Sequence, residues 1–183
     1  MTISDAPLRL DFYAPAEQPP PGRRRYIIAP PQRASEPYAF GSVSLFTGGA
    51  ADPAAALSVG PFVRRRAWSG KPDDARCALL LIALTNAQEG REEEFDRWYW
   101  DRHFLDGQQL PGCYAACRFA LAEGGDGAYR HLALYQFDVA DAAIVVDAHL
   151  ARAGTPAMPL TTAISPVFQA WYVRPATGWH QAR

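Results

Sequence analysis

Three side chains in one short stretch of the sequence are of types that move protons. Tyr99 and His103 lie four residues apart, and Asp106 follows the histidine by three. Because an α-helix has 3.6 residues per turn, this spacing predicts one helical stripe, which Phe95 extends toward the N-terminus. A histidine whose tautomer is fixed by a carboxylate, beside a phenol, can act as a general acid or base. The spacing alone favours a histidine near a helix end that is satisfied by the aspartate or by backbone carbonyls.

Further polar side chains recur on two strand-like segments, 114–123 and 129–138. Alternation puts Arg118 on one face of the first segment among alanines, and His131 with Tyr135 on one face of the second. The opposite faces are apolar, so we expect those to pack under helices. This sends Arg118, His131 and Tyr135 to the other side of the sheet, the interior of a predicted barrel, where the small alanines between them would leave room for a ligand. The alternative is that these groups hydrogen-bond one another in a filled core.

The elements that must position these residues follow a regular order after residue 75. An apolar run, Cys77–Leu84, predicts a strand buried on both faces. The next stretch, 89–112, predicts a helix with three glutamates in its first turn and a Pro-Gly stop. The two strand-like segments then lead to a helix over Asp141–Ala153 and a last strand over Val167–Val173. The order β-α-β-β-α-β is that of a ferredoxin-like unit.

The first half repeats this order with its first helix replaced by a proline-rich loop. Its predicted strands cover 7–13, 23–29, 38–46 and 62–68, and Asp52-Pro53 predicts the start of a short helix. The predicted domains are therefore a degenerate half (1–74), a half carrying the motif (75–175) and a tail (176–183). We interpret the chain as an internal duplication. Its fold class would be α+β, with two ferredoxin-like units closing into a barrel that has helices outside and a cavity between the sheets.

Composition and charge exclude several classes of function. The net charge of -1 gives no reason to expect nucleic acid or an anionic membrane as partner. No run approaches the ~18 apolar residues of a membrane span, and no secretory signal precedes the first strand. The three cysteines (Cys77, Cys113 and Cys117) give neither a disulfide framework nor a zinc spacing. We expect a cytoplasmic protein without metal or cofactor, either a monomer or a homodimer.

Two groups of charged residues have less specific interpretations. The arginine runs 23–25 and 64–66 lie on predicted strands. Charge on a sheet edge discourages pairing with other chains, which favours edge strands, and an arginine-lined anion site is the alternative. His149 falls within a predicted helix, and we expect it at the surface.

The stretch WYWDRHFLDGQQLPG, followed by YAACRF and YRHLALYQF, resembles the EthD-type branch of the dimeric α+β barrel superfamily. The resemblance covers roughly residues 77–175. The matching positions are Trp98, Tyr99, His103, Asp106, Pro111, Gly112, Arg118, Tyr129, Leu132 and Tyr135.

The resemblance implies a barrel of two ferredoxin-like units, here two halves of one chain, with one competent pocket. It implies His103 as acid/base, supported by Tyr99 and Asp106, and a pocket lined by Trp98, Arg118, His131 and Tyr135. The first functional hypothesis is a cofactor-independent enzyme of the cyclase, isomerase, dehydratase or monooxygenase type, acting on an aromatic or polyketide-like molecule. A non-catalytic carrier or sensor of small hydrophobic molecules is the second. A haem-binding barrel with His103 or His131 as axial ligand is the third.

Overall fold

The computed structural model describes residues 6–21, 23–29, 40–70 and 77–176. Within these ranges the chain is mostly extended. Its strands are β1 (Leu8–Tyr13), β2 (Arg24–Ile28), β3 (Ser42–Thr47), β4 (Leu57–Ser69), β5 (Leu79–Thr85), β6 (Cys113–Asp126), β7 (His131–Phe137) and β8 (Gln169–Pro175).

Two helical regions accompany the strands in the described ranges. The first, which we call the helical segment, consists of α1 (Glu92–Trp98), a π-helical turn (Tyr99–His103) and α2 (Phe104–Gln108). The second is α3 (Ala142–Arg152), where the Asp141 carboxylate caps the helix by accepting from the Ala143 N–H at 2.9 Å. Among the described residues, the helices are too short or too polar to cross a lipid bilayer.

The eight strands form one closed antiparallel barrel in the order β1-β3-β2-β8-β5-β7-β6-β4. Two seams join the halves of the chain, because β4 pairs with β6 and β2 pairs with β8. When strands are numbered from the start of each half, both halves show the order fourth, first, third, second.

The predicted fold class is wrong. We expected two ferredoxin-like units forming a dimeric α+β barrel, whereas the described chain is a closed eight-stranded β-barrel with two short helical regions. The helix predicted at Asp52-Pro53 does not form. Asp52 Oδ1 accepts from the Ala54 N–H at 3.0 Å, which closes a turn, and the chain then enters β4 at Leu57. The described part of the first half therefore consists of strands and loops.

The barrel interior is filled by apolar side chains. One buried cluster takes members from all eight strands and none from the helices, so it is the interior. The rings of Phe12, Phe40 and Trp171 pack there with centroids 4.8–5.0 Å apart. A second cluster joins the helical regions to the outward face of the second-half strands. As expected for adjacent strand residues, Trp171 belongs to the interior and Tyr172 to the layer under the helices.

The expected orientation of the polar face is wrong. Leu132 and Leu134 of β7 point into the barrel, and Tyr135 lies in the layer beneath the helical segment. Arg118 and His131 bond to each other and contact helical-segment rings, so they lie on that side too. The wholly apolar face is the one that fills the barrel, because an enclosed interior offers polar groups neither water nor helix partners.

A carboxylate network, rather than a helix, covers part of the outward face of the first half. The fully buried Asp11 carboxylate is bonded to the Arg23 guanidinium. It also accepts from the Asp52 N–H at 2.9 Å and from the Ser58 hydroxyl at 2.5 Å. The Tyr13 hydroxyl donates to Asp52 at 3.1 Å. One buried charge thus ties the loop around Asp52 to β1, to β4 and to Arg23, which directly precedes β2.

We predict that Asp11→Ala lowers the free energy of unfolding by about 3 kcal/mol, because it leaves Arg23 and several donors without their acceptor. Urea denaturation with the wild type alongside measures the change. Glu94→Ala is the matched control, since it removes an exposed carboxylate that is also bonded to an arginine, and we expect no measurable loss. Equal effects of the two substitutions would contradict a structural role for Asp11.

Candidate functional site

The helical segment lies on the outward face of the sheet and supplies a row of aromatic rings. The ring of Phe95 contacts that of Tyr99 at 5.7 Å between centroids, and Tyr99 contacts His103 at 5.3 Å. Tyr99 and His103 begin and end the π-helical turn. Such turns widen a helix by one residue and are frequent at functional sites. The predicted stripe therefore exists as a continuous row of ring contacts.

Arg118 is the buried cation of this layer, with 1% of its surface exposed. Its Nη2 donates to Asp96 Oδ1 at 2.7 Å, and the same nitrogen lies 3.2 Å from His131 Nδ1. The Asp96 side chain is 49% exposed, so the carboxylate reaches the arginine from the protein surface. A single nitrogen of the guanidinium thus carries both contacts.

Aromatic rings surround the Arg118 guanidinium. Its Cζ lies 4.2 Å from the Tyr99 ring centroid, 4.4 Å from that of Trp100 and 5.3 Å from that of Phe95. Attraction between a desolvated cation and an aromatic face contributes about 2 kcal/mol in favourable cases. The rings compensate part of the desolvation cost, but they do not accept conventional hydrogen bonds from the edge of the guanidinium.

Buried polar atoms of Arg118 and of the neighbouring Tyr135 are unsatisfied within the described chain. Arg118 Nε and Nη1 have no hydrogen-bond partner there, and neither does the hydroxyl of Tyr135. Tyr99 is close enough to influence the pKa of Tyr135, but its phenol does not reach hydrogen-bonding geometry with the Tyr135 hydroxyl. Since buried polar groups are nearly always paired, these atoms point to a missing acceptor. We call Asp96, Tyr99, Arg118, His131 and Tyr135 together the Arg118 site.

Gly107 allows the helical segment to lie directly on Tyr135. A Cβ atom at this glycine would stand 2.5 Å from Tyr135 Cε1 and 3.0 Å from the hydroxyl oxygen. Any side chain there would push the ring away from α2. The bare backbone of Gly107 therefore fixes the position of the Tyr135 hydroxyl.

Both buried phenols of the site stay protonated at neutral pH. Burial raises the pKa of Tyr99, against the opposing charge of Arg118. Burial also raises the pKa of Tyr135 well above its ordinary value, and the nearby Tyr99 raises it further. The two hydroxyls are accordingly hydrogen-bond donors and not bases.

His103 lies at the edge of this cluster against Trp98. The two rings stack at 4.4 Å with planes 20° apart, and the Trp98 indole N–H is held by the Pro159 carbonyl at 2.8 Å. Asp106, expected to orient the histidine, has its Oδ2 3.8 Å from Arg102 Nε. Trp98 and the loop at Pro159 therefore fix the plane of the His103 ring.

His131 is held as a neutral acceptor. Burial and the neighbouring Arg118 lower its pKa to about 4. Its Nδ1 faces Arg118 Nη2, which donates, so the ring proton belongs on Nε2. The histidine therefore completes the arginine's contacts and adds no charge to the site at neutral pH.

The structure brings Tyr99, Arg118, His131 and Tyr135 into one layer, with Trp98 and His103 beside it. Their roles as catalytic or ligand-binding residues stay predictions. Sequence reasoning missed Asp96, Trp100 and Gly107. Helical spacing puts Asp96 three residues before Tyr99, and that signal could have found it.

His149 was also assigned wrongly. We expected it at the surface, but it is 6% exposed. Its Nδ1 lies 2.8 Å from the Tyr172 hydroxyl, which joins α3 to β8. In the described part of the chain, no group of three or more histidine, cysteine, aspartate or glutamate side chains could hold a metal ion.

Comparison with known proteins gives no relative: the chain matches no protein-family model, no curated protein and no solved structure. The resemblance to the EthD-type branch therefore stays an expectation from the motif.

We predict that protonation of His131 makes stability pH-dependent. Its folded-state pKa of about 4 lies below the ordinary histidine value of 6.5, so the unfolded chain binds more protons between these values. The free energy of unfolding should fall as the pH drops from about 6.5 to 4. In His131→Gln, which keeps an acceptor for Arg118, the slope should be smaller by up to about 1.4 kcal/mol per pH unit. Urea denaturation across this range measures both slopes, and identical slopes would contradict a buried neutral histidine.

Proposed function

We propose that this protein binds a small molecule that carries an oxygen acceptor on an aromatic or otherwise planar apolar body. The Arg118 site is where we expect it to bind. The proposal rests on one observation: two nitrogens of a buried guanidinium and a neighbouring buried hydroxyl have no partner within the described chain. A carboxylate, enolate or carbonyl oxygen is the group that would satisfy such donors.

The preference for a planar apolar body follows from the surroundings of these donors. Aromatic rings flank these donors, namely those of Phe95, Trp98, Tyr99 and Phe104. The centroid of the Phe104 ring lies 6.1 Å from that of Tyr135. Apolar walls with a few placed polar groups are usual for small-molecule sites. Both faces of an aromatic ligand would find rings to pack against here.

Acid/base catalysis on the bound molecule is the second candidate, and the position of His103 favours it. Its ring lies 5.3 Å from Tyr99 and is held flat against Trp98. Histidine is the side chain that ordinarily titrates near neutral pH. Arg118 and the phenols would stabilise an enolate oxygen while His103 takes or returns the proton, as in an isomerase, dehydratase or cyclase.

We further infer a cytoplasmic location and a monomeric or dimeric state. The free thiols of Cys77, Cys113 and Cys117 support a reducing compartment. The two seams that close the barrel lie within one chain, which supports a monomer and leaves homodimer formation to the outer surface.

We predict opposite effects of Tyr135→Phe on stability and on binding. Without ligand, removing an unsatisfied buried hydroxyl should leave the free energy of unfolding unchanged or raise it by up to about 2 kcal/mol. Affinity for an aromatic carboxylate should fall about tenfold, because the ligand loses a hydrogen bond. Urea denaturation and calorimetric titration with salicylate and benzoate measure the two quantities.

The controls compare two arginines, Arg118 and Arg66, whose guanidinium groups both lie near the Trp100 ring. Arg118→Met should abolish salicylate binding, whereas Arg66→Met should leave it intact. Arg66 is exposed, donates to the Trp100 carbonyl at 3.1 Å and lies over the Trp100 and Phe104 rings at 5.7 and 5.0 Å. Its replacement therefore removes a charge and a contact beside the site but none of the unsatisfied donors. A destabilised Tyr135→Phe with unchanged affinity would show that the hydroxyl is structural and would refute the binding proposal.

The catalytic candidate makes a separate prediction. The wild type should accelerate exchange of the acidic protons of 1-phenyl-1,3-butanedione with deuterium, followed by proton NMR. His103→Ala should lower that rate by about 10²- to 10⁴-fold while affinity changes less than about threefold. Parallel loss of rate and affinity in a folded variant would leave His103 a binding residue only.

A further inference from the structure

The arginine run on β2 needs another explanation than edge protection. We expected charge to shield an unpaired edge, but β2 pairs with β3 on one side and with β8 on the other. The closed barrel leaves this strand no free edge. That interpretation is therefore wrong, and the question is what Arg23, Arg24 and Arg25 contact.

Two of the three arginines have partners. Arg23 is bonded to Asp11 and lies over the Phe46 ring at 3.7 Å. Alternation turns Arg24 to the opposite face, the side of Tyr26 in the barrel interior, where it interacts with the Tyr26 hydroxyl. Arg25 points outward beside Arg23, and its buried Nε has no hydrogen-bond partner in the described chain.

A second unsatisfied atom lies on the neighbouring strand. Ser42 of β3 is fully buried, and its hydroxyl has no partner within the described ranges. In the β2–β3 register Arg25 stands opposite Ser44 and Ile27 opposite Ser42. Arg25 and Ser42 are thus diagonal neighbours on the same outward face, at a separation that an arginine side chain spans.

We propose that Arg25 and Ser42 form a second binding site, which takes a small oxyanion such as a phosphate or carboxylate group. Arg25 supplies the positive charge and a directed N–H, and Ser42 supplies a hydroxyl donor. This site is independent of the Arg118 site, because it lies on the first-half strands.

The neighbouring charges leave Arg25 available for such a ligand. The Asp11 carboxylate is already bonded to Arg23, Ser58 and the Asp52 N–H. The carboxylate of Asp52, which is partly exposed, accepts from Tyr13 and from the Ala54 N–H. Both acidic groups have their own donors, and neither is bonded to Arg25 in the described chain.

The test is calorimetric titration of the full chain at low salt. The three probes are inorganic phosphate, sodium acetate and phenyl phosphate. We expect saturable binding of at least one oxyanion. Arg25→Met should weaken it at least tenfold, and Ser42→Ala about threefold to tenfold. Ser42→Ala should keep or raise the melting temperature, because the hydroxyl it removes has no partner. Tighter binding of phenyl phosphate than of phosphate would identify the ligand as an organic ester.

Two controls separate this site from the rest of the protein. Arg97→Met removes an exposed arginine of α1 and should change nothing, and Arg118→Met should leave phosphate affinity intact. Absence of saturable binding by all three probes, or binding that survives Arg25→Met, would overturn the proposal. A loss caused by Arg118→Met would assign the oxyanion to the other site and overturn it equally.

Discussion

Closure of the barrel is the constraint on which the other features depend. Side chains of a strand alternate between two faces, so a closed sheet must devote one face of every strand to its enclosed interior. Here that face is apolar and tightly filled. Most polar side chains of the strands are then accommodated outside, under whatever the chain supplies as cover, although Gln136 and Gln169 share the inward faces of β7 and β8. In the second half the cover is the helical segment and α3; in the described first half it includes the Asp11 network.

The Arg118 site shows that this constraint carries a desolvation cost. A guanidinium that is 1% exposed has lost nearly all its hydration, and its compensation comes from a half-exposed carboxylate, a neutral histidine and three rings. Buried ion pairs seldom add net stability, because desolvation offsets their attraction. A buried cation whose donors lack hydrogen-bond partners is better explained by the proposed ligand binding than by a contribution to stability. The same reasoning applies to Arg25 and Ser42, where the sheet buries a hydroxyl without pairing it.

Local signals in the sequence predicted most of the elements. The apolar run at residue 77, the glutamates that open α1 and the stretch that begins at Asp141 each report on a few neighbouring residues, and each led to an element close to its observed bounds. The face assignment failed because alternation shows which residues share a face, not which face is enclosed. The helix at Asp52 failed for a related reason, since the carboxylate and N–H of that residue were recruited by distant partners, Tyr13 and Asp11. Likewise, the residues around Arg118 could be selected from spacing, whereas Asp96 and Gly107 depend on how the helical segment lies on the sheet.

The two seams of the barrel have a consequence for how the chain holds together. The strands at both edges of each half are paired with strands of the other half, β4 with β6 and β2 with β8. A half separated from its counterpart would expose two rows of unpaired backbone groups and the apolar interior face, a combination that drives aggregation. The barrel is thus one cooperative unit. Two fragments cut between β4 and β5 would reassociate, because association pairs those backbone groups and buries the apolar face. The Arg118 site would then depend on first-half strands that supply none of its five residues, although Arg66 of β4 contacts the Trp100 ring beside it.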